Sequence, residues 1–193
     1  PEGRHRVAIH EAGHAICYGL TTAVPEDAYV CIDTDLNSLI VGSVTIPTPK
    51  DPTEVTKERL EWSMLMTMAG VAAEHHFFGE KSLSGSGDIA SMSQLATAYL
   101  SAGHGEVFDP APADELGLSA NRAAIGRLRD HYASLAEVFI QANHSLCEEM
   151  ARLVEKDEFV DCTSIAGIVG SVALPEGWKR TTWAASVPTI PFQ

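Results

Sequence analysis

Two histidines four residues apart, His10 and His14, enclose Glu11 and the small residues Ala12 and Gly13. Residues four apart share one face of an α-helix, so both imidazoles can offer a nitrogen to a single metal ion. The spacing suits zinc, which binds histidine nitrogen and carboxylate oxygen and keeps one position open when it serves catalysis. Glu11 sits one residue on, where a carboxylate can stand beside the metal without binding it and accept a proton from water. The competing reading is a satisfied pair of core histidines. An amphipathic helical context and the small Ala12 and Gly13, which let another segment approach closely, weigh towards the metal.

Such a centre needs at least a third protein ligand. The residues alone leave Asp88, Glu74, His75 and His76 open. Asp88 follows Ser84-Gly85-Ser86-Gly87 at a helix start, where its ordinary role is an N-cap. Glu74 falls on a helical pattern, where a carboxylate is ordinarily solvated or at the core edge. His75 and His76 point in different directions on that helix, so at most one of them can join the site.

These residues need elements to hold them. Apolar positions at helical intervals predict a first helix from Arg4 to about Leu20. Ala28 to Ile32 and Leu39 to Ile46 are short β-branched runs, separated by Asp33, Asp35, Asn37 and Ser38, and predict a two-stranded ribbon stopped by Pro47 and Pro49. Thr53 offers a cap for a second helix that runs towards Phe78 and closes at Gly79. A third helical pattern begins at Asp88 and ends at Gly103 and Gly105. Ser119 to about Glu155 reads as one long helix with a possible break, its apolar stripe belonging to the core. Asp161 caps a last short helix to Gly170. The fold class is mainly α, an array of about six helices with a small two-stranded β-ribbon. Residues 1–172 form the domain, and 173–193 a tail containing Pro and Trp that wraps the surface or stays partly disordered. Met64, Met66 and Met68 alternate along a helix and read as core packing.

The 193 residues are 45% hydrophobic and 20% charged, as in soluble globular chains. A formal charge of −13 disfavours nucleic acid as a partner, because that binding rests on Lys and Arg. The four cysteines lack metal-module spacing and are expected reduced and buried. No run approaches the length of a membrane span, and nothing resembles a signal peptide, so the chain is expected to be cytoplasmic. Because it opens at Pro1-Glu2-Gly3 just ahead of a helix, it reads as cut from something longer, with an upstream anchor left open.

Three blocks together resemble the peptidase domain of the FtsH family of ATP-dependent zinc proteases. They are Val7-Ala8-Ile9-His10-Glu11-Ala12-Gly13-His14-Ala15, Ala69-Gly70-Val71-Ala72-Ala73-Glu74 with Phe78-Gly79-Glu80, and Ser84-Gly85-Ser86-Gly87-Asp88-Ile89. The resemblance spans residues 5–170 in outline. It implies Asp88 as the third zinc ligand, in place of the capping role, with Glu74 orienting a ligand and standing as the alternative ligand. It implies a helical fold with a ribbon whose edge pairs with extended substrate, a homo-oligomer in the form of a hexameric ring, and hydrolysis of peptides or unfolded polypeptides. Val71 stands where that family has arginine. No ATPase module is present: Gly79-Glu80-Lys81-Ser82 lacks the glycines of a phosphate loop, so a separate ATPase partner is expected. Two rival readings are a non-catalytic zinc-containing peptide-binding or scaffold module, and a zinc hydrolase of a non-peptide amide.

Overall fold

The computed structural model describes residues 2–34, 40–46, 49–186 and 188–192. In chain order its elements are α1 (Glu2–Ala15), β1 (Val24–Pro25), β2 (Tyr29–Thr34), β3 (Ile40–Val44), α2 (Lys57–Phe78), α3 (Ser86–Ser101), α4 (Glu115–Ala142), α5 (His144–Asp157), β4 (Phe159–Asp161), α6 (Cys162–Val169) and β5 (Thr189–Ile190), with short 3-10 turns between. The fold is mainly α, with six helices among the described residues and a small sheet, as the sequence predicts. None of the helices is long and apolar enough to cross a membrane.

From Ala8 to Ala15 every residue of α1 is buried, so this helix is the centre of the molecule and not an amphipathic surface helix. Its last expected turn tightens into a 3-10 segment, Ile16–Leu20. The longest stretch of its packing is against α2. A Cβ at Gly13 would lie 2.6 Å from the Ala69 carbonyl oxygen and 2.8 Å from Ala73 Cβ, so glycine lets the two backbones touch. Thr56 caps α2, its side chain accepting from the Arg59 N–H, and the expected cap at Thr53 is corrected by this. Asp51 instead caps a separate 3-10 turn with Pro52 at its start, which moves the helix cap from Thr53 to Thr56. Gly79, at φ 73°, ends α2 as expected.

The ribbon pairs β2 with β3 antiparallel, Val30 opposite Val44 and Ile32 opposite Gly42. A third short strand, β4, adds to the other edge of β2, so β3 and β4 are the two edge strands. The expected turn residues Asp35, Asn37 and Ser38, the strand start at Leu39 and the stop at Pro47 lie outside the described residues. The long helical stretch after residue 115 breaks at Asn143, whose buried side chain donates to the Phe139 and Ala173 carbonyls and accepts from the Ala173 N–H. Asp161 caps α6 as expected.

Tyr18, Trp62, Phe139 and Met64 are among the largest fully buried side chains, and Met66 and Met68 are buried with them. All four cysteines are free thiols, but only Cys17 and Cys147 are buried; Cys31 and Cys162 are partly exposed.

Candidate metal centre

α1 presents His10 and His14 one turn apart, and both side chains are buried. Their Nδ1 atoms are already engaged. His10 Nδ1 lies 2.7 Å from Glu74 Oε1, and His14 Nδ1 lies 2.7 Å from the Met66 carbonyl oxygen. Both partners accept, so each neutral ring carries its hydrogen on Nδ1 and turns a bare Nε2 lone pair the other way. The two Nε2 atoms are 3.0 Å apart.

α3 brings the third group. Its N-cap is Gly85, so Asp88 falls inside the first turn and is not the cap. Asp88 Oδ2 lies 3.0 Å from His10 Nε2 and 3.5 Å from His14 Nε2. It is buried and has no hydrogen-bond donor. His10, His14 and Asp88 are also the one group of three metal-capable side chains that converge among the described residues. Three lone-pair atoms thus face one another with no hydrogen between them when the rings are neutral, an arrangement that asks for a cation. Tetrahedral zinc, with ligands at about 2.0–2.1 Å, separates its ligand atoms by about 3.3 Å. The observed triangle of 3.0, 3.0 and 3.5 Å fits that size.

The electrostatics agree. Burial alone disfavours an imidazolium at His10, yet Asp88 and Glu74 beside it outweigh burial and push its pKa up to about 9. Burial likewise works against ionised Asp88, but the two histidines hold its carboxyl well below the usual range. Glu11, also buried, is pushed upward by desolvation, which the neighbouring histidines only partly oppose.

Glu74 is 1% exposed and does not join the triangle. One carboxylate oxygen holds His10, while the other accepts from the Ser82 N–H at 3.0 Å and lies 3.5 Å from the Arg6 guanidinium. The remaining candidates are elsewhere: His75 faces Glu137 at 3.2 Å and His76 faces His144 at 2.9 Å, both on the surface.

A cleft of about 730 Å³ opens beside the triangle, lined among others by Glu11, Gly42, Val44, Arg59, Met66 and Leu95. Two glycines, one behind the histidine rings and one lining the cleft, escaped the sequence reading. A Cβ at Gly70 of α2 would lie 2.4 Å from His14 Nε2 and 2.8 Å from His10 Nε2, and one at Gly42 would lie 2.3 Å from Glu11 Cγ. The available signal was an isolated glycine inside a helical and a strand pattern, which marks close approach. The Met66 carbonyl, as a backbone group, left no signal at all.

The family model of Peptidase family M41 matches residues 1–108, which include all of His10, Glu11, His14, Glu74 and Asp88. The ATP-dependent zinc metalloprotease FtsH 2 of Symbiobacterium thermophilum is 34% identical over 102 residues, covering 52% of this chain and 17% of that protein. The chain therefore matches only a small part of that relative's length. With more than half of its residues matched, the chain belongs to Peptidase family M41, a metalloprotease family.

Proposed function

We propose that the chain is a zinc metalloendopeptidase acting on peptides or unfolded polypeptides, with His10, His14 and Asp88 holding Zn²⁺ and Glu11 as general base. The observation that carries this reading is the triangle of His10 Nε2, His14 Nε2 and Asp88 Oδ2, whose neutral form holds three acceptors and no donor. When bound, zinc supplies the positive charge that acidifies a water and polarises the scissile carbonyl.

The chain's own residues do the rest. Glu74 and the Met66 carbonyl fix the two ring orientations by accepting from Nδ1, which keeps both Nε2 lone pairs free. Glu11, one residue beyond His10 and lining the cleft, takes the proton from the attacking water and passes it to the leaving amine. Its desolvated surroundings raise its basicity towards the range a general base needs. The edge strand β3, with Val44, Leu60 and Leu95 along the cleft, offers an extended chain a backbone edge and apolar contacts. The relative's name includes ATP dependence, and in this reading an ATP-driven partner delivers unfolded chains to the site.

The test is incubation of zinc-loaded protein with unfolded casein and a peptide library, with and without chelator, beside Glu11→Gln. We expect chelator-sensitive fragments from the wild type. Glu11→Gln should keep one zinc and lose hydrolysis by on the order of 10²–10⁴-fold. Peptides bound but left intact would point to a binding module, and turnover surviving in Glu11→Gln would refute the general-base role.

A further inference from the structure

We propose that Gly42 is a positioning residue for Glu11: by carrying no side chain, it lets the backbone of β3 lie against the carboxylate and ties the base to the strand edge. The inference rests on the peptidase reading above.

A Cβ at position 42 would lie 2.3 Å from Glu11 Cγ, 2.4 Å from Oε1 and 2.5 Å from Cδ. Non-bonded carbons settle at about 3.5–4.0 Å, so the carboxylate and any larger residue at 42 compete for one space. Backbone conformation does not demand glycine there. The positive-φ glycines among the described residues are Gly79, Gly103, Gly105 and Gly177, and Gly42 is not one of them. The requirement at 42 is room.

The ladder shows what the same residue turns towards the cleft. Ile32 donates its N–H to the Glu158 carbonyl, on the β4 side of β2. In an antiparallel ladder a residue's N–H and C=O point to the same side. Ile32 therefore makes no ladder bond with Gly42, its opposite number in β3. The Gly42 N–H and C=O accordingly point away from β2, towards the outer edge. The bond from Thr45 N–H to the Tyr29 carbonyl, three residues along, keeps the same alternation. One residue thus combines backbone groups open to an extended peptide with the missing Cβ that seats the base. Substrate register and proton acceptor are set by a single backbone contact.

Because the contacted atoms are the far end of a flexible side chain, a methyl at 42 displaces the carboxylate and leaves the strand in place. A misplacement of about 1 Å in such a group costs about 10²-fold in rate. The experiment compares zinc-loaded wild type with Gly42→Ala, using a peptide the wild type cleaves, and records zinc content and Tm beside the kinetics. Val41→Ala serves as the strand control, since Val41 alternates to the opposite face and is exposed. We expect Gly42→Ala to bind one zinc, lose about 100-fold in kcat and keep KM within about threefold, because the edge N–H and C=O remain.

Glu11→Asp, alone and combined with Gly42→Ala, supplies the second arm. The shorter side chain withdraws from the methyl, so Gly42→Ala should cost less than about threefold in the Asp background. Should Gly42→Ala fail to fold alone, restored folding in the double variant carries the same conclusion. The proposal is overturned if Gly42→Ala keeps wild-type kcat, or if its cost in kcat and Tm is the same in both backgrounds. Wild-type protein that binds zinc and cleaves nothing condemns the peptidase reading instead; Tm values of the four proteins still decide the contact, and strict additivity would overturn it.

Discussion

In the proposed centre a proton would compete with zinc for the same small triangle of His10, His14 and Asp88. Burial works against charging His10, but Asp88 and Glu74 prevail and raise it from 6.5 to about 9. A group whose folded pKa is raised lends stability that is complete below its unfolded pKa and is lost as pH climbs through the folded one. Chelated protein should therefore lose thermal stability between about pH 6.5 and 9, by at most on the order of 3 kcal/mol. Zinc-loaded protein, whose His10 is neutral throughout, should lack that loss. Melting curves of both forms from pH 6 to 9.5 check it, and parallel curves would mean that His10 is not the group whose proton the metal displaces. Gly70→Ala tests the same space sterically. Its methyl would sit 2.4 Å from His14 Nε2, so we expect zinc content to fall well below one per chain while the fold persists, measured by metal analysis and circular dichroism. At this scale the sequence disclosed His10, Glu11 and His14 because a helical period puts them together by itself. Asp88 arrives from another helix across tertiary space, and only a resemblance singled it out against its capping role. Gly42 and Gly70 act by what they lack, so their residue type carries no chemical signature.

Helices α1 and α2 touch so closely at Gly13 that their crossing sets the distance from the histidines to Glu74 and the Met66 carbonyl. Gly13→Ala should gain about 1 kcal/mol of helix propensity. Against this, its Cβ would meet the Ala69 carbonyl at 2.6 Å, a backbone atom that cannot swing aside. Overpacking of that kind costs about 1–3 kcal/mol, so the net effect should be destabilising, with weakened zinc binding as the helices part. Denaturant titration and zinc competition measure the two effects, and a variant as stable as wild type with intact affinity would show the crossing to be adjustable. Glu74→Ala probes the other side of that crossing. It removes the carboxylate that holds the His10 tautomer, and zinc affinity should fall by about 10–100-fold. Elements with strong periodicity or capping chemistry were legible: the end of α2 at Gly79 and the start of α6 at Asp161 follow from single residues. The start of α2 was misread because Asp51 and Pro52 build a turn of their own ahead of Thr56. β4, at three residues, is too short to show alternation, and it exists because β2 offers it an edge.

At the scale of the whole molecule, residues 173–193, which the sequence marks off by composition as a tail, are tied to the body. Several of their backbone groups bond to the body. Thr181 donates to the Leu20 carbonyl at 2.7 Å, Thr22 donates to the Thr181 carbonyl at 2.9 Å, and β5 pairs with β1. Arg180 reaches the Gly170 carbonyl at 2.8 Å. Trp183 is buried, with its ring 4.6 Å from that of Trp62 and beneath the Arg59 guanidinium at 4.8 Å. Trp62 belongs to the core and bonds the Cys17 carbonyl, on the segment that continues α1, while Arg59 lines the cleft. Trp183→Ala should accordingly cost about 3–5 kcal/mol, the range for large aromatic truncation in a core. It should also disturb the cleft, because Arg59 loses the surface on which it rests. Removing residues 173–193 should cost more still, since it uncovers Trp62 and leaves the Leu20 carbonyl without its backbone partner. Denaturant unfolding of wild type, Trp183→Ala and the truncated chain, followed by tryptophan fluorescence, orders the three. A truncated chain as stable as the full one, with Trp62 still shielded, would show that the tail merely lies on a finished domain; the packing of Trp183 against Trp62 and Arg59 argues that the domain is finished only when the tail is in place.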